Sequence, residues 1–408
     1  MRISTNTIFK SGTTRMAELE SSLLKTQQQL AQSKRVIRPS DDPVAAAQIL
    51  ELTQSQSVNS QHAVNRQNAK SALGMEENAL QGITTLLQNV KTLTVNAGNG
   101  VLDGPQREFI ATELSGYYDE LISLANSRDA SGNYIFSGFQ TSTQPFTKTP
   151  GGATYIGDQG ARMLQIGPSR QIALSDNGST VFETNKTGNG TFVTGKGNSN
   201  TGSGVISLGS IVNPGALTGH DYNIVFTGPS TYDVIDATTS PPPPAPPTIV
   251  LGGQTHVSGQ AITFDGLQFD ITGTPATGDS FTVRPSRNQS VFTTMNNLIT
   301  LLKTPITSDA ARANLANGLN AANVNIDTAL DNVLTVRASV GSRLKELDSL
   351  DTQGDDRDVL YAQSLSALQD LDYTKAITDL SKQKIMLEAA QQAFVKTSGL
   401  TLFNFISG

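Results

Sequence analysis

The chain is expected to be mostly α-helical, a rod of long antiparallel helices in a coiled-coil arrangement formed by both chain ends, with a β-rich domain inserted between them. Three observations predict this. Composition shifts twice: residues 1–139 and 291–408 are rich in Gln, Asn, Leu, Ala and charge, whereas 140–290 holds 22 of the 36 Gly and 13 of the 17 Pro. Such punctuation suits short strands and turns and interrupts helices. The outer parts also carry apolar residues at steps alternating three and four, the seam of a coiled coil. Finally, a helix from Val44 to Ala97 would be roughly 80 Å long at ~1.5 Å per residue. A compact globule of this size has a radius of gyration of only about 22 Å, so that helix would overrun it.

From the N-terminus, Met16, Leu19, Leu23 and Leu30 keep heptad spacing, interrupted by Thr26 and Ser33. Asp42 before Pro43 reads as an N-cap and first helical residue. Leu73, Leu80, Ile83, Leu87, Val90 and Ala97 form one stripe, with Glu76 and Thr94 as polar members. Gly98 and Gly100 read as a stop. Gly104-Pro105 reopens a helix, whose stripe is Ile110, Leu114, Tyr117, Leu121 and Leu124. The segments 151–158, 161–167, 170–175, 220–228, 260–273 and 279–285 read as strands. Pro241 to Pro247, broken by Ala245, reads as a stiff linker separating two β lobes. Ser308 with Asp309 caps a third long helix, placing negative charge at the positive end of its dipole. Its seam is Leu315, Leu319, Ala322, Ile326, Ala329, Val333, Val336, Val340, Arg343, Leu347 and Leu350, and Gly354 is expected to break it.

The last helix keeps the spacing at Tyr373, Ile377, Leu380, Leu387 and Phe394, with Lys384 and Gln391 as polar members, and ends in Leu402, Phe403 and Phe405. Both terminal seams are half-filled. A helix gains most of its stability by packing its face, so these ends are expected to be partly disordered in the monomer and to order when further copies supply partners. The expected division is 1–40 plus 366–408 as terminal helices forming an inner assembly domain, 41–139 plus 291–365 as a helical rod, and 140–290 as a β-rich outer domain carrying the Pro-rich linker 241–247. The assembly residues are expected to be those of the terminal seams: Met16, Leu19, Leu23, Leu30, Tyr373, Ile377, Leu380, Leu387, Phe394, Leu402, Phe403 and Phe405.

Catalytic chemistry finds little support. There are no Cys and only 3 His, so disulfides, thiol nucleophiles and Cys-zinc sites are excluded and the commonest general base is scarce. No paired metal-ligand spacing occurs; His220 and His256 read as surface histidines, and Asp355, Asp356 and Asp358 as a solvated cap at a helix break. The run Gly190, Gly195, Lys196, Gly197 resembles a phosphate loop but lacks the final Ser or Thr, and reads as a mobile turn. No enzyme activity, cofactor or metal is expected. A net charge of −6 does not suit a reader of nucleic-acid phosphates. No stretch is apolar for the ~18 residues a membrane span needs, and the N-terminal residues lack the apolar core of a cleavable signal peptide.

Three stretches carry a family resemblance. The first is Arg2-Ile3-Ser4-Thr5 with Met16 and the spaced leucines, then Lys34-Arg35-Val36-Ile37 and Pro39-Ser40-Asp41-Asp42-Pro43, with Gln32-Ser33 where Ser-Gly is usual. The second runs from Ala125-Asn126-Ser127-Arg128-Asp129 through Gly132-Asn133-Tyr134-Ile135-Phe136-Ser137-Gly138-Phe139. The third is Arg337-Ala338-Ser339-Val340-Gly341-Ser342-Arg343-Leu344 with the apolar C-terminal helix. Together they resemble the flagellin-related proteins of the bacterial flagellum, and within these the junction proteins between hook and filament. The resemblance implies a flagellin-like fold and a structural adaptor joining hook to filament. The implied partners are its own copies in a ring, the hook-side junction protein, flagellin, and a cytoplasmic export chaperone at the C-terminal helix, with no nucleic acid or membrane. It also implies type III export without a cleavable signal and an extracellular place in the flagellum. Alternatives at this point are a flagellin filament subunit and a surface adhesin or glycan-binding module in 140–290.

Overall fold

The computed structural model describes the backbone of residues 5–240 and 246–406 and the side chains of 7, 9–240 and 246–397. Its α-helices are α1 (Thr5–Gln32), α2 (Pro43–Ala97), α3 (Gly104–Ala125), α4 (Gly178–Phe182), α5 (Val291–Lys303), α6 (Asp309–Gln369) and α7 (Tyr373–Ile406). Every named strand lies between α3 and α5, so a β-rich part is inserted between helical ends, as the composition implies. Two compact units are present: Met1–Asn65 with Asp348–Gly408, and Arg66–Leu347.

In the larger unit, α2 and α6 pack antiparallel. Lys91 pairs with Asp327 at 2.5 Å and Glu77 with Arg337 at 2.6 Å, so sequence rises on one helix as it falls on the other. The heptad stripes become the core: Leu73, Leu80, Ile83, Leu87, Val90 and Ala97 on α2 and Leu319, Ile326, Val333, Val340 and Leu347 on α6 are buried. The caps are those the sequence implies. Asp42 Oδ1 accepts the N–H of Ala45 at 3.0 Å, and Ser308 Oγ that of Ala311 at 3.1 Å. Asp103 and Gln106 form a reciprocal capping box ahead of α3, satisfying two of the orphan donors of a helix start.

Helix α3 is turned by about one residue from its expected face. Leu114 and Leu121 are buried, but Tyr118 takes the place of Tyr117, and Arg107, Ala111 and Ala125 join it. The reason is polar satisfaction: the Tyr118 hydroxyl donates to Gly152 O at 2.5 Å while its ring meets Phe292 edge-on. At Tyr117 the hydroxyl would have no such partner inside.

The β part contains a five-stranded antiparallel sheet in the spatial order Thr248–Thr255, Thr231–Asp236, Tyr222–Gly228, Ser280–Pro285, Phe192–Lys196. A second sheet pairs Ala261–Phe264 with Leu267–Thr272 and then Val205–Ile206. One core draws on both, with Phe192, Ile224, Phe226 and Phe281 from the first and Phe269 and Ile271 from the second. Asp265 (φ 44°) and Gly266 (φ 77°) turn the hairpin between Phe264 and Leu267, the Asp-Gly chemistry that a two-residue loop with both φ positive favours. The Tyr222 hydroxyl donates to Asp265 Oδ2 at 2.6 Å across that turn.

Several expectations are corrected. The glycine run expected as a mobile turn contains the strand Phe192–Lys196, whose register against Ser280–Pro285 leaves no phosphate loop. Thr231–Asp236 and Thr248–Thr255, on either side of the proline segment, pair with each other; that segment, whose residues 241–245 lie outside the described ones, joins neighbouring strands of one sheet and does not separate two lobes. Gly354 does not break α6, which runs on to Gln369. It is buried, and its carbonyl accepts from Asn59 Nδ2 at 2.9 Å, so a helical glycine here permits close approach of α2. Asp355, Asp356 and Asp358 are therefore mid-helix and not a cap. His220 and His256 are half-buried, His220 Nδ1 lying 2.8 Å from Asp236 Oδ2 and the His256 ring meeting Phe226 edge-on.

Candidate assembly interfaces

In the terminal unit α1 packs along α7. Phe9 and Phe394 meet at 5.0 Å between ring centroids, and Gln383 Nε2 donates to Ser22 Oγ at 2.9 Å. Gly12 lies under the Phe394 ring, where an added Cβ would come within 2.8 Å of it. Met16, Leu19, Leu23 and Leu30 are half-buried on this side. Thr26, which interrupts the leucine spacing, is the one buried residue of α1 among the described side chains. Its hydroxyl donates back to Ser22 O at 3.1 Å, which leaves its methyl group for the interface.

On α7 the expected stripe divides. Leu380, Leu387 and Phe394 are half-buried with Gln383, and Ala376 is buried, while Tyr373 and Ile377 are exposed. Leu402, Phe403 and Phe405 lie beyond the described side chains. Residues missed in the sequence add to the exposed set: Ile385 (66%), Met386, Val395 (68%), and on α1 Phe9 and Leu24. Ile377 and Val395, about five helical turns apart, fall on one line of α7. The available signal for Leu24, Ile385, Met386 and Val395 was apolar character off the heptad phase, and for Phe9 its place seven residues before Met16. Among the described residues this unit fully buries only three apolar side chains, Ala45, Leu365 and Ala376.

The first sequence motif ties the ends together. Ser33, at φ 57°, takes the left-handed position after α1 that glycine favours. Arg35 N donates to Gln369 O at 2.7 Å, its guanidinium donates to Leu368 O at 2.8 Å, and it pairs with Asp42 at 3.0 Å. A cation thus closes the C-terminal end of α6, where its dipole is negative. Asp41 Oδ2 accepts the N–H groups of Ile37 and Arg38, and Oδ1 pairs with Lys25 at 2.9 Å. These bonds hold the Asp41 carboxyl below its usual range, the Lys25 bond most.

The second motif joins helix to sheet. The Asn126 side chain donates to Phe146 O at 3.0 Å and accepts from Phe146 N at 2.9 Å. Arg128 stacks over Tyr134 at 4.3 Å, and Asp129 Oδ1 accepts from the backbones of Ser131 and Asn133 at 2.9 Å each. Phe136, Phe146, Phe182 and Phe292 form a chain of tilted and edge-on rings 4.9–5.5 Å apart. In the third motif Arg337 grips Glu77, while Arg343 pairs with Asp176 and donates to Ala173 O at 3.2 Å. Glu76 accepts the Asp176 N–H at 2.8 Å and is fully buried. Burial first, then the charge of Asp176, pushes the Glu76 carboxyl up to about 8. Arg343, Asp176 and Glu76 pack the β part against the helices, Arg337 and Glu77 join α6 to α2, and no nucleophile stands beside a base among them.

Residues 3–141 match the bacterial flagellin N-terminal helical region and 324–406 the C-terminal helical region, while 196–285 match the D2-like domain of flagellar hook-associated protein 1. Helical ends of flagellin type around such a β domain define a flagellin-related axial protein. Flagellar hook-associated protein 3 of Escherichia coli (strain K12) is 28% identical over 404 residues, 99% of either chain. The crystal structure of flagellar hook-associated protein 3 from Legionella pneumophila is 30% identical, with a TM-score of 0.73 over 78% of this chain and 98% of that one. The FlgL structure from Xanthomonas campestris is 29% identical, with a TM-score of 0.71 over 77% and 99%. The chain belongs to the flagellar hook-associated protein 3 (FlgL) family. Among the described residues no helix is long and apolar enough to cross a membrane.

Proposed function

We propose that the protein is a non-catalytic adaptor joining the flagellar hook to the flagellin filament. Copies form a ring; one side of the ring meets the hook-side junction protein and the other meets flagellin. The terminal helices form its inner packing layer and the β part its outer one. The chain reaches this extracellular place by type III export, with a cytoplasmic chaperone covering α7 beforehand. The full-length relatives are hook-associated proteins 3, which favours the junction over a filament subunit or an adhesin.

One observation carries the reading: among the described residues the terminal unit exposes large apolar side chains on α1 and α7 and buries very few. Covering an Ile, Val or Phe side chain contributes roughly 1.5–3 kcal/mol when burial is complete, so neighbouring copies complete the core that one chain lacks. The test is a strain carrying a deletion of 366–408. Its hooks should lack filaments, seen by electron microscopy. Ile385→Asp and Val395→Asp, on exposed positions, should keep the helix content of the pure protein but detach filaments. Attached filaments in all three strains would end this reading.

A further inference from the structure

Between the β part and helices α5 and α6, within the larger unit, runs an open groove of about 650 Å3. Pro285, Leu298 and Leu301 supply apolar lining, and the exposed Arg284 and Arg287 stand beside them. A recess of about 170 Å3 continues along the same stretch of α6 past Asn314 and Gly318 and is lined by Lys196. No Asp or Glu lines either space, and none of the three cations is ion-paired among the described residues. Burial holds the Lys196 ammonium below the ordinary lysine value. In a chain of net charge −6, Arg284 and Arg287 on this groove and Lys196 in the adjoining recess, with no carboxylate beside them, make a surface that attracts an acidic, partly apolar partner.

The same unit carries a surface of the opposite kind. On α3 and the turn before it, Phe109 is 73% and Val101 87% exposed. Glu108 and Glu113 flank Phe109 on the side of α3 away from its buried residues Arg107, Ala111, Leu114 and Tyr118, and neither is ion-paired among the described residues. The Lys91–Asp327 bridge at 2.5 Å sets the last turns of α2, just before this surface, alongside the stretch of α6 that borders the groove. Cation-lined groove and acid-flanked aromatic thus lie at one level of the helices. They cannot meet within one chain, because α3 packs on α5 through its opposite face.

We infer that the groove receives the Phe109 face of α3 from a second copy of this chain, with the ring on Leu301 and Pro285 and Glu108 and Glu113 against Arg284 and Arg287. Donor and acceptor surfaces differ, so the contact is heterologous. It passes from copy to copy and closes in a ring where the rotation allows, instead of stopping at a pair. This inference rests on the proposed assembly function and names its lateral contact.

The chain has no cysteine, so the introduced thiols are the only ones it carries. Flagella from a strain whose sole copy carries Thr112→Cys and Asn297→Cys are treated with a short bismaleimide. A ladder of covalent multimers is expected; pairing Thr112→Cys with Val257→Cys should give none. Arg284→Glu with Arg287→Glu should reduce filament-bearing hooks at least about tenfold through like-charge contact, and adding Glu108→Arg with Glu113→Arg should restore them. Attached filaments without a ladder, or no recovery in the combined variant, overturns the groove contact while leaving the adaptor role intact. Attached filaments in a strain lacking the gene altogether would instead overturn the adaptor role.

Discussion

Replacing Glu76 by Gln should stabilise the larger unit at neutral and alkaline pH and remove one of its pH dependences. Glu76 sits on α2 with no exposed surface, its Oε1 bonded to the Asp176 N–H and its Oε2 without a hydrogen bond. Burial and the neighbouring Asp176 carboxylate raise its pKa from 4.5 to about 8, against the opposing effects of the Asp176 N–H and the Arg343 guanidinium. Between these pH values the folded chain holds a proton that the unfolded chain releases. The stability from this group is therefore complete below pH 4.5 and is lost as pH rises through 8. At about 1.4 kcal/mol for each tenfold change in proton affinity, the loss is on the order of 5 kcal/mol at most. Gln keeps the acceptor for Asp176 N–H and resembles the protonated acid without titrating. Urea unfolding followed by far-UV circular dichroism at pH 5.5, 7 and 8.5 measures the effect. The parent should weaken with rising pH by more than the variant, and the variant should lead by several kcal/mol at pH 8.5. Parallel curves for the two proteins would refute the reasoning.

Two further substitutions test the motifs. Ser33→Gly relieves a left-handed backbone at φ 57°; set against the chain entropy of glycine and the loss of the Ser33–Tyr373 hydroxyl contact, a net gain of about 0.5–1 kcal/mol is expected, read as slower hydrogen exchange in the last turn of α1. Gly138→Ala places a Cβ 2.3 Å from Asp158 Oδ1 at φ 71°. Asp158 cannot move away freely, because that oxygen holds the N–H groups of Phe139 and Gly160. A loss of about 2 kcal/mol or more in urea unfolding is expected.

The helical ends were legible because their signals are local and repeat. Leu73 to Ala97 and Leu319 to Leu347 are buried where the spacing puts them, and the caps at Asp42 and Ser308 stand where short polar side chains precede helical runs. The motif residues were legible as motifs but not in their roles. That Arg35 closes α6, that Asn126 holds the backbone of Phe146, and that Glu76 meets Asp176 depends on partners far away along the chain. The strands Thr231–Asp236 and Thr248–Thr255 escaped notice because prolines and glycines around them masked a pairing that is set by a neighbouring strand.

Periodicity, composition shifts and caps by themselves determined a helical protein with a β insertion, since each depends on residues within a few turns of one another. Tertiary structure decided the rest: which way α3 turns, that Gly354 lies inside a continuous helix, and that the α7 stripe splits, leaving Ile377 outward and Leu387 inward. A heptad pattern says that a helix has an apolar side, but only the shape and polar groups of its actual neighbour determine which residues of that side are covered.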